Sequence, residues 1–416
     1  MEYGLIGEHL SHSFSPEIHK RIGGYKYEIK ELKTEELGEF FKKREFKGIN
    51  VTIPYKQAVI PFLDEIDEAA KEIGAVNTIV NKNGKLFGYN TDFGGLKALF
   101  ERAGISVSGK KAIILGNGGT SKTAGAVLKK LGAQTVLKTD IVPGKGIITN
   151  EEAVLSHSDA EILVNTTPCG MFPNLSGMAV DPAVFPKLEG AIDVVYNPLK
   201  TDFVLRAQSI GIPSAAGLYM LVMQAILASE LFFDNSVPKE KAESIYQELL
   251  KTKKNIVLIG MPGSGKSTVG KLIAEITGRS FTDTDTVIEQ MTGKHPSEII
   301  KESGESAFRD IETKALREVS KKSGIIIATG GGIVKRGENI PLLRQNGRII
   351  YLDCDTDELP VTPDRPLSAS REAIEELYRT RHPLYVAAAD ASVTISHQND
   401  VKINANEVIK IFSELI

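Results

Sequence analysis

The sequence predicts an α/β protein in which parallel sheets are covered by helices. Short apolar runs typical of buried strands alternate with helical stretches along nearly the whole chain, and this alternation favours parallel strands joined by helical crossovers. Two units of strand, glycine-rich loop and helix lie near residues 112–131 and 255–277. Because their loops differ in kind, the two units predict two nucleotide sites in separate domains and not an internal repeat.

The predicted elements follow from hydrophobic periodicity and from the glycines that interrupt it. Strands are predicted at residues 112–115, 135–137, 161–165, 191–195, 255–259, 324–328 and 348–352. Helices are predicted at residues 121–131, 239–251 and 266–277. A short polar connection at residues 252–254, between a helix and a strand, predicts the main domain boundary.

Composition excludes several classes of protein. The chain has 416 residues, which agrees with two or three domains, and its 42% hydrophobic and 25% charged residues are typical of an ordinary globular protein. A net charge of -3 gives no electrostatic reason to expect nucleic acid or a membrane as partner. We expect no secretory leader and no membrane span, because no apolar run is long enough. Cys169 and Cys354 lie far apart and form no metal or disulfide pattern, which favours a cytoplasmic location.

The first glycine-rich loop is typical of a dinucleotide site. A buried-strand pattern at residues 112–115 leads into residues 116–121 (GNGGTS) and then into a helix. Glycines let the backbone approach a pyrophosphate, and the helix N-terminus supplies unpaired N–H groups. Ser121 replaces the third glycine of the G-x-G-x-x-G pattern, so a purely structural turn stays the alternative.

The end of the next strand bears on which dinucleotide binds. Lys138 and Asp140 lie just after the predicted strand at residues 135–137. A cation there would accept a 2′-phosphate, whereas a carboxylate would bind a ribose 2′-hydroxyl. Lys138 comes first and favours NADP, while Asp140 leaves NAD open.

Seven further motifs in the first 250 residues together resemble shikimate dehydrogenase. They are residues 10–16 (LSHSFSP), 48–56 (GINVTIPYK), 74–78 (GAVNT), 88–92 (GYNTD), 165–171 (NTTPCGM), 193–198 (DVVYNP) and 217–224 (GLYMLVMQ). The family carries Asn-Arg-Thr where this chain has Leu137, Lys138 and Thr139, and residues 140–149 are short for the family. Lysine keeps the charge of arginine but loses its planar paired donors, which predicts a weaker grip on the cofactor.

The resemblance implies a role for each matching residue. Ser13 and Ser15 would hold the substrate carboxylate, and the ring substituents would bond to Thr52, Asn77, Asp92, Tyr196 and Gln224. The cofactor would contact Gly116, Gly118, Gly119, Thr120, Lys138, Thr139, Val194 and Gly217. Lys56 and Asp92 would form the catalytic pair, and His12 is interpreted as structural.

The chemistry of ketone reduction agrees with such a pair. The reaction needs a hydride on one face and a proton delivered to the developing alkoxide. An ammonium group beside that oxygen serves as acid and stabilises the charge. A carboxylate such as Asp92 fixes the ammonium of Lys56 in place and favours its charged form.

The second glycine-rich loop is typical of a phosphate-binding loop. A strand at residues 255–259 runs into residues 260–268 (GMPGSGKST), which fit G-x-x-x-x-G-K-[ST], and a helix follows. Lys266 would reach the β- and γ-phosphates and Ser267 would bind Mg²⁺. The predicted nucleotide contacts are Gly260, Gly263, Ser264, Gly265, Lys266, Ser267 and Thr268.

Five motifs after this loop give residues 254–416 a resemblance to shikimate kinase. They are residues 281–285 (FTDTD), 304–312 (GESAFRDIE), 328–332 (ATGGG), 364–367 (DRPL) and 381–385 (RHPLY). The resemblance implies that Asp285 binds the acceptor hydroxyls and acts as base, while Asp283 supports Mg²⁺ through water. The other implied contacts are a carboxylate clamp of Arg309 and Arg381, a ring surface of Gly330, Gly331 and Gly332, and a catalytic lid residue, Arg365. Glu312 would orient Arg309, and the lid before Arg365 is short for the family.

These resemblances imply three domains and two linked activities. Residues 1–92 with 225–250 would form a substrate-binding α/β domain, residues 93–224 a Rossmann-like NADP domain, and residues 254–416 a P-loop kinase domain with a parallel sheet, similar to nucleoside monophosphate kinases. The chain would use NADP(H), ATP and Mg²⁺ to convert 3-dehydroshikimate to shikimate and then to shikimate 3-phosphate. Two alternatives stay open, a dehydrogenase that prefers quinate and a non-catalytic regulator that responds to shikimate. The sequence does not predict the oligomeric state.

Overall fold

A computed structural model describes residues 1–10, 13–361, 370–398 and 400–416 of the chain. These residues divide into two compact units, a first unit of Met1–Glu248 and a second unit of Leu249–Ile416. Each unit contains strands covered by helices, and the predicted α/β class is confirmed. No helix in the described part of the chain is both long and apolar enough to span a bilayer.

The first unit contains two sheets. Its strands are β1 (Tyr3–Gly7), β2 (Glu28–Glu31), β3 (Gly48–Val51), β4 (Glu65–Ile66), β5 (Thr78–Lys82), β6 (Lys85–Tyr89), β7 (Lys111–Leu115), β8 (Thr135–Thr139), β9 (Ile162–Asn165), β10 (Gly190–Asp193) and β11 (Ser214–Ala215). Its helices are α1 (Ser15–Gly23), α2 (Leu37–Lys43), α3 (Glu68–Ile73), α4 (Thr91–Arg102), α5 (Gly119–Lys130), α6 (Asn150–Ser156), α7 (Asp202–Ser209) and α8 (Leu218–Phe233), followed by α9 (Lys239–Lys253), which extends past the end of the unit.

The first sheet has the strand order β2-β1-β3-β5-β6-β4 and is mixed, not wholly parallel. β5 runs antiparallel to both β3 and β6, while the other pairs are parallel. The turn between β5 and β6 is Asn83-Gly84, with φ values of 53° and 88°. An Asn-Gly pair with both φ values positive matches the twist of a tight hairpin, so this turn explains the antiparallel pairing.

The second sheet has the order β11-β10-β9-β7-β8 and is parallel throughout. Its two faces are covered by separate apolar clusters, one that includes Leu96 and Val127 and one that includes Phe185 and Phe203. The chain leaves β7 toward β8 on one side and returns to β9 on the other. Ligands of open parallel sheets bind at such a reversal of strand order, beyond the carboxyl ends of the strands.

The second unit has one parallel sheet of order β13-β14-β12-β15-β16. Its strands are β12 (Asn255–Ile259), β13 (Phe281–Asp283), β14 (Ile326–Ala328), β15 (Gly347–Cys354) and β16 (Ala391–Ile395). Its helices are α10 (Lys266–Thr277), α11 (Thr284–Thr292), α12 (Pro296–Ser320), α13 (Asn339–Asn346), α14 (Arg371–Ala388) and α15 (Val401–Glu414). An apolar core surrounds β12 and β15, whose residues 256–259 and 349–352 are almost fully buried.

Several predicted bounds differ from the structure by one or more residues, and two of the differences bear on the interpretation. α9 ends at Lys253, so residues 252 and 253, predicted as part of a connection, are helical. β8 continues to Thr139 and therefore includes Lys138, which was predicted to follow the strand. Neither stretch contains the glycine or proline that would end an element, so the neighbouring hydrogen-bond pattern continues through it.

Candidate active sites

Lys56 and Asp92 form a shielded ion pair in the first unit. Nζ of Lys56 donates to Oδ2 of Asp92 at 2.6 Å, and the side chains are only 15% and 9% exposed. Lys56 follows β3, while Asp92 lies in the first turn of α4, where a carboxylate also interacts favourably with the helix dipole. The two predicted catalytic residues therefore meet although they lie 36 positions apart.

Asn77 is fixed beside this pair by Thr91. Oδ1 of Asn77 accepts the backbone N–H of Thr91 at 2.7 Å, and its Nδ2 donates to the Thr91 hydroxyl at 3.1 Å. An amide nitrogen has two N–H bonds, and the bond to Thr91 uses one of them. Thr91 precedes Asp92, so one contact orients both a predicted substrate residue and the start of α4.

The serine motif meets Tyr196. The hydroxyl of Ser13 donates to that of Ser15 at 3.1 Å, and the rings of Phe14 and Tyr196 lie 5.3 Å apart. Burial raises the pKa of Tyr196, and a hydrogen bond with Ser13 opposes that rise. Three predicted substrate residues therefore share one neighbourhood.

Thr52 and Gln224 both lie in the first unit, and separate contacts set their positions. The methyl group of Thr52 packs against Gly7, and it lies 2.7 Å from the position that a Cβ atom at Gly7 would occupy. Gln224 is buried on α8 against Gly95 of α4, and its Nε2 donates to the Leu221 carbonyl at 2.9 Å. Its other amide atoms are thus oriented by a bond within its own helix.

Val194 and Gly217, both predicted to contact the cofactor, are in direct contact with each other. A side chain at Gly217 would begin 2.1 Å from the Val194 carbonyl oxygen, so only glycine fits there. Asp193, fully buried next to Val194, accepts the Val195 N–H at 2.9 Å and the Thr201 hydroxyl at 2.6 Å. Burial raises the pKa of Asp193 to about 6, and these hydrogen bonds oppose the rise.

The loop before α5 is open in the way a phosphate requires. Gly116 has φ +101° and follows β7, and nothing lies within 4 Å of where a side chain at Gly118 would begin. Gly118 caps α5 without a side-chain hydrogen bond, so no side chain caps the N-terminus of the helix, where Thr120 lies. A side chain at Gly119 would begin 4.0 Å from Cβ of Lys56, which brings this loop to the ion pair.

Lys138 and Thr139 have different environments. The end of the Lys138 side chain packs over Gly125 of α5, and its pKa is lowered by burial and then by Lys122 and Lys129. The Thr139 hydroxyl is buried and donates to Asn150. Lys138 thus belongs to a group of three lysines, whereas the Thr139 hydroxyl already has a partner in the protein.

The loop of residues 260–268 is wrapped around the Lys266 side chain. Nζ of Lys266, which is only 8% exposed, donates to the carbonyl oxygens of Gly260 and Met261 at 3.0 and 2.8 Å. Gly260, Gly263 and Gly265 all have positive φ. The hydroxyl of Ser264 is buried without a hydrogen-bond partner in the described part of the chain.

A possible Mg²⁺ site lies at the start of α10. Oγ of Ser267 donates to Oδ2 of Asp283 at 2.6 Å, and Thr268 is exposed beside it. Among the described residues, no group of three His, Cys, Asp or Glu side chains could hold a metal ion. Mg²⁺ does not need such a cage, because it keeps several waters and binds one or two protein oxygens with substrate phosphates. Ser267 and Asp283 therefore fit this ion.

The predicted acceptor residues surround the turn after β14. A side chain at Gly330 would begin 3.1 Å from Oδ1 of Asp285 and 2.8 Å from Oε1 of Glu312. That Oε1 is buried without a hydrogen-bond partner among the described residues. The Gly331 carbonyl accepts Nη1 of Arg381 at 3.0 Å and also the Tyr385 hydroxyl.

Arg309 lies between two carboxylates and against Gly332. Its Nη1 donates to Glu312 at 2.7 Å and its Nη2 to Glu305 at 2.9 Å, and a side chain at Gly332 would overlap its guanidinium. Burial alone would lower the pKa of Arg309, but the two carboxylates together raise it. The pKa of Glu312 is also raised, because its complete burial outweighs the attraction of Arg309.

Two residues that were interpreted from the sequence fall outside the described part of the chain, and three residues near the sites were not predicted. Arg365, the lid residue, and His12 lie outside the described residues. Glu305 and Lys335 were not predicted as site residues, although Glu305 lies inside the motif of residues 304–312. No spacing rule relates the two residues, because they are 30 positions apart. His397 was missed too, and its Nε2 lies 3.8 Å from where a side chain at Gly265 would begin.

Comparison with known families matches both units. A family model described as Shikimate dehydrogenase substrate binding domain matches residues 5–79, and one described as Shikimate kinase matches residues 262–414. The shikimate dehydrogenase (NADP(+)) of Clostridium perfringens (strain ATCC 13124) is 39% identical over 271 residues, which cover 59% of this chain and 97% of that protein.

Solved structures give the same result for the first unit. Shikimate 5-dehydrogenase from Thermus thermophilus, in complex with NADP(H) and shikimate, has a TM-score of 0.54 and 30% identity, and the match covers 60% of this chain and 99% of that one. Quinate dehydrogenase from Corynebacterium glutamicum, in complex with NAD, has a TM-score of 0.52 and 27% identity, with 60% and 99% covered.

Proposed function

The chain belongs to the shikimate dehydrogenase family and carries a shikimate kinase domain, and from this premise we propose that it catalyses two consecutive reactions. The first is NADPH-dependent reduction of 3-dehydroshikimate to shikimate. The second is ATP-dependent phosphorylation of shikimate to shikimate 3-phosphate. The product of the first reaction is the acceptor of the second, which explains why both units occur in one chain.

The shielded Lys56–Asp92 ion pair is the observation that carries the first activity. NADPH supplies the hydride when bound. The Lys56 ammonium delivers a proton to the oxygen that becomes the alcohol, and Asp92 holds the ammonium in position by its 2.6 Å bond. Ser13 and Ser15 bind the carboxylate, and Asn77 and Tyr196 orient the ring; the remaining ring contacts are Thr52 and Gln224.

The phosphate loop and the turn at residues 330–332 carry the second activity. Asp285 accepts the proton of the attacking hydroxyl, and Lys266 neutralises charge on the transferring phosphoryl group. Arg309 and Arg381 hold the acceptor carboxylate, a task suited to the paired donors of arginine. Ser267 and Asp283 hold Mg²⁺, because both side chains present the oxygen atoms that this ion prefers.

The domain assignment follows the sheets. All strands of the first sheet lie within residues 3–89, those of the second within 111–215, and those of the third within 255–395. We therefore assign residues 1–92 with 225–250 to substrate binding, 93–224 to NADP and 254–416 to the kinase. Cys169 and Cys354 are free, which supports a reducing compartment such as the cytoplasm.

A coupled assay on the purified chain tests the proposal. With 3-dehydroshikimate and NADPH, we expect NADPH oxidation and accumulation of shikimate. Addition of ATP and Mg²⁺ should then convert the accumulated shikimate to a phosphate ester. Recovery of 3-dehydroshikimate unchanged, or of shikimate without phosphate, would contradict the corresponding half of the proposal.

A quinate-oxidising dehydrogenase is the second candidate, because the first unit is also similar to quinate dehydrogenase. Quinate differs from shikimate by an added hydroxyl on a saturated ring carbon, and Ser13 and Ser15 contact the carboxylate common to both acids. Rates of NADP reduction with each acid separate the candidates. A kcat/KM for quinate at or above that for shikimate would favour the second.

A further inference from the structure

Glu305 lies between two cations in the acceptor region of the second unit. Its Oε1 accepts Nη2 of Arg309 at 2.9 Å and Nζ of Lys335 at 2.7 Å. Cations that donate charge-assisted hydrogen bonds to a carboxylate of the protein can also donate them to the carboxylate of a ligand. Glu305 thus takes the position that a ligand carboxylate would need.

The local backbone explains why these three side chains meet. Gly304 has φ +83° and interrupts α12, so Glu305 begins a new helical segment and Arg309 lies one turn further along. Lys335 ends the 3₁₀ helix Ile333–Lys335, which directly follows the turn of residues 330–332. The lysine is therefore carried by the same segment that faces the acceptor ring.

The two carboxylate partners of Arg309 differ in burial, and only the exposed partner, Glu305, can readily be exchanged for a ligand. Glu312 is 0% exposed, whereas Glu305 and Lys335 are 38% and 40% exposed. Lys335, then Arg309, lowers the pKa of Glu305 to about 2, so its carboxylate stays ionised near neutral pH. The Glu305–Lys335 ion pair is exposed on both sides and contributes little to stability, so breaking it costs little. The bond from the buried Arg309 to Glu305 would be replaced by a bond to the incoming carboxylate.

We propose that Lys335 is a further cation of the acceptor carboxylate site and that Glu305 occupies this site until the substrate carboxylate displaces it. This inference rests on the proposed kinase activity and adds two residues to it. The alternative is an ordinary surface ion pair that fastens the 3₁₀ helix to α12, and it predicts an effect on stability without an effect on shikimate binding.

Steady-state phosphorylation kinetics of the full chain distinguish the two. Lys335→Ala should raise the KM for shikimate roughly ten-fold, the effect of one lost charge-assisted hydrogen bond, with kcat and the KM for ATP nearly unchanged. Lys335→Arg should restore most of the affinity. Glu305→Gln should lower the KM for shikimate, because the competing charge is gone. Lys314→Ala, an exposed lysine of α12, serves as the matched control.

Dehydrogenase activity in the same preparations measures the amount of folded enzyme. An unchanged shikimate KM in Lys335→Ala, or equal changes in the KM values for shikimate and ATP, would overturn this inference while leaving the kinase assignment intact. Failure of the unmodified chain to phosphorylate shikimate would instead overturn the proposed function, and this inference with it.

Discussion

The two glycine-rich loops of this protein provide positive charge in different ways. The loop of residues 116–120 contains no cation and exposes the N-terminus of α5, with open space around Gly118. The loop of residues 260–268 encloses Lys266, whose ammonium group contacts carbonyl oxygens of the loop itself. Backbone N–H groups are sufficient to bind a pyrophosphate that does not react, whereas a phosphoryl group in transfer needs a cation that stabilises its changing charge.

The three grouped lysines of the first unit lie outside the loop of residues 116–120. Lys138 lies on β8 and Lys122 and Lys129 lie on α5, and the two α5 lysines contribute to the lowered pKa of Lys138. In the first site the backbone N–H groups and the lysines therefore lie on different segments, while in the second site the same loop provides both. Loss of one lysine should consequently affect chemistry at the second loop and only affinity at the first.

Lys266→Ala should produce the largest effect. Cations that contact a transferring phosphoryl group contribute on the order of 10³–10⁵-fold to the rate, so we expect shikimate phosphorylation to fall by about that factor. NADP-linked oxidation of shikimate, followed by absorbance, should continue at the unmodified rate. Lys271→Ala, an exposed change on α10, is the control. Loss of both activities in a folded variant would contradict two independent sites.

Lys56→Ala should have the next largest effect. Removal of a general acid typically costs roughly 10²–10⁴-fold in rate, and kcat for 3-dehydroshikimate reduction should fall accordingly. Kinase activity should persist in the same preparation, and Lys71→Ala on α3 should change neither rate. A small loss of kcat with a large rise in the KM for 3-dehydroshikimate would instead make Lys56 a binding residue.

Lys138→Ala should weaken cofactor binding without affecting chemistry. A lost hydrogen bond to the 2′-phosphate corresponds to roughly a ten- to hundred-fold higher KM for NADPH, while the KM for NADH should not change. Lys130→Ala, an exposed lysine at the end of α5, is the matched control. Equal effects on both cofactors would place the 2′-phosphate elsewhere and would weaken the contrast between the two loops.

The sequence predicted most accurately the segments whose structure is determined locally. β12 and α10 have the predicted bounds, because the apolar residues 256–259 run into glycines with positive φ. The end of β8 was less predictable, since a charged lysine is not typical of a strand, yet the end of the Lys138 side chain packs over Gly125 of α5. The β5–β6 hairpin was missed although Asn83-Gly84 is a recognised turn signal.

Contacts between residues far apart in the sequence could be identified only from a family resemblance or from the structure. Lys56 and Asp92 were paired in advance only because their motifs match a known family. Glu305 and Lys335 have no such guide, and their contact depends on the kink at Gly304 and on the turn of residues 330–332. Local periodicity contains no information about either arrangement, because each joins residues from elements that are far apart in the sequence.

Asp193→Asn should have the smallest effect, a change in how stability depends on pH. Its pKa is about 6 in the folded protein against an ordinary 3.8, because it is buried. The folded state therefore retains the proton at a pH where the unfolded chain has lost it, and stability falls as pH rises from about 4 through 6. The pKa shift corresponds to a change of roughly 3 kcal/mol at most in the free energy of unfolding. In Asp193→Asn, the hydrogen bonds from Val195 and Thr201 survive only in part.

Hydrogen-exchange mass spectrometry of peptides from β10 and the following loop measures this locally, without assuming that both units unfold together. In the unmodified chain, protection should decrease between pH 4 and 7 after correction for intrinsic exchange, and Asp193→Asn should flatten that decrease. Asp159→Asn removes an exposed carboxylate whose pKa is lowered, so it should leave the slope between pH 4 and 7 nearly unchanged. A slope in Asp193→Asn equal to that of the unmodified chain would mean that another group titrates. The loop that carries Val194 and Tyr196 would then be held independently of this carboxylate.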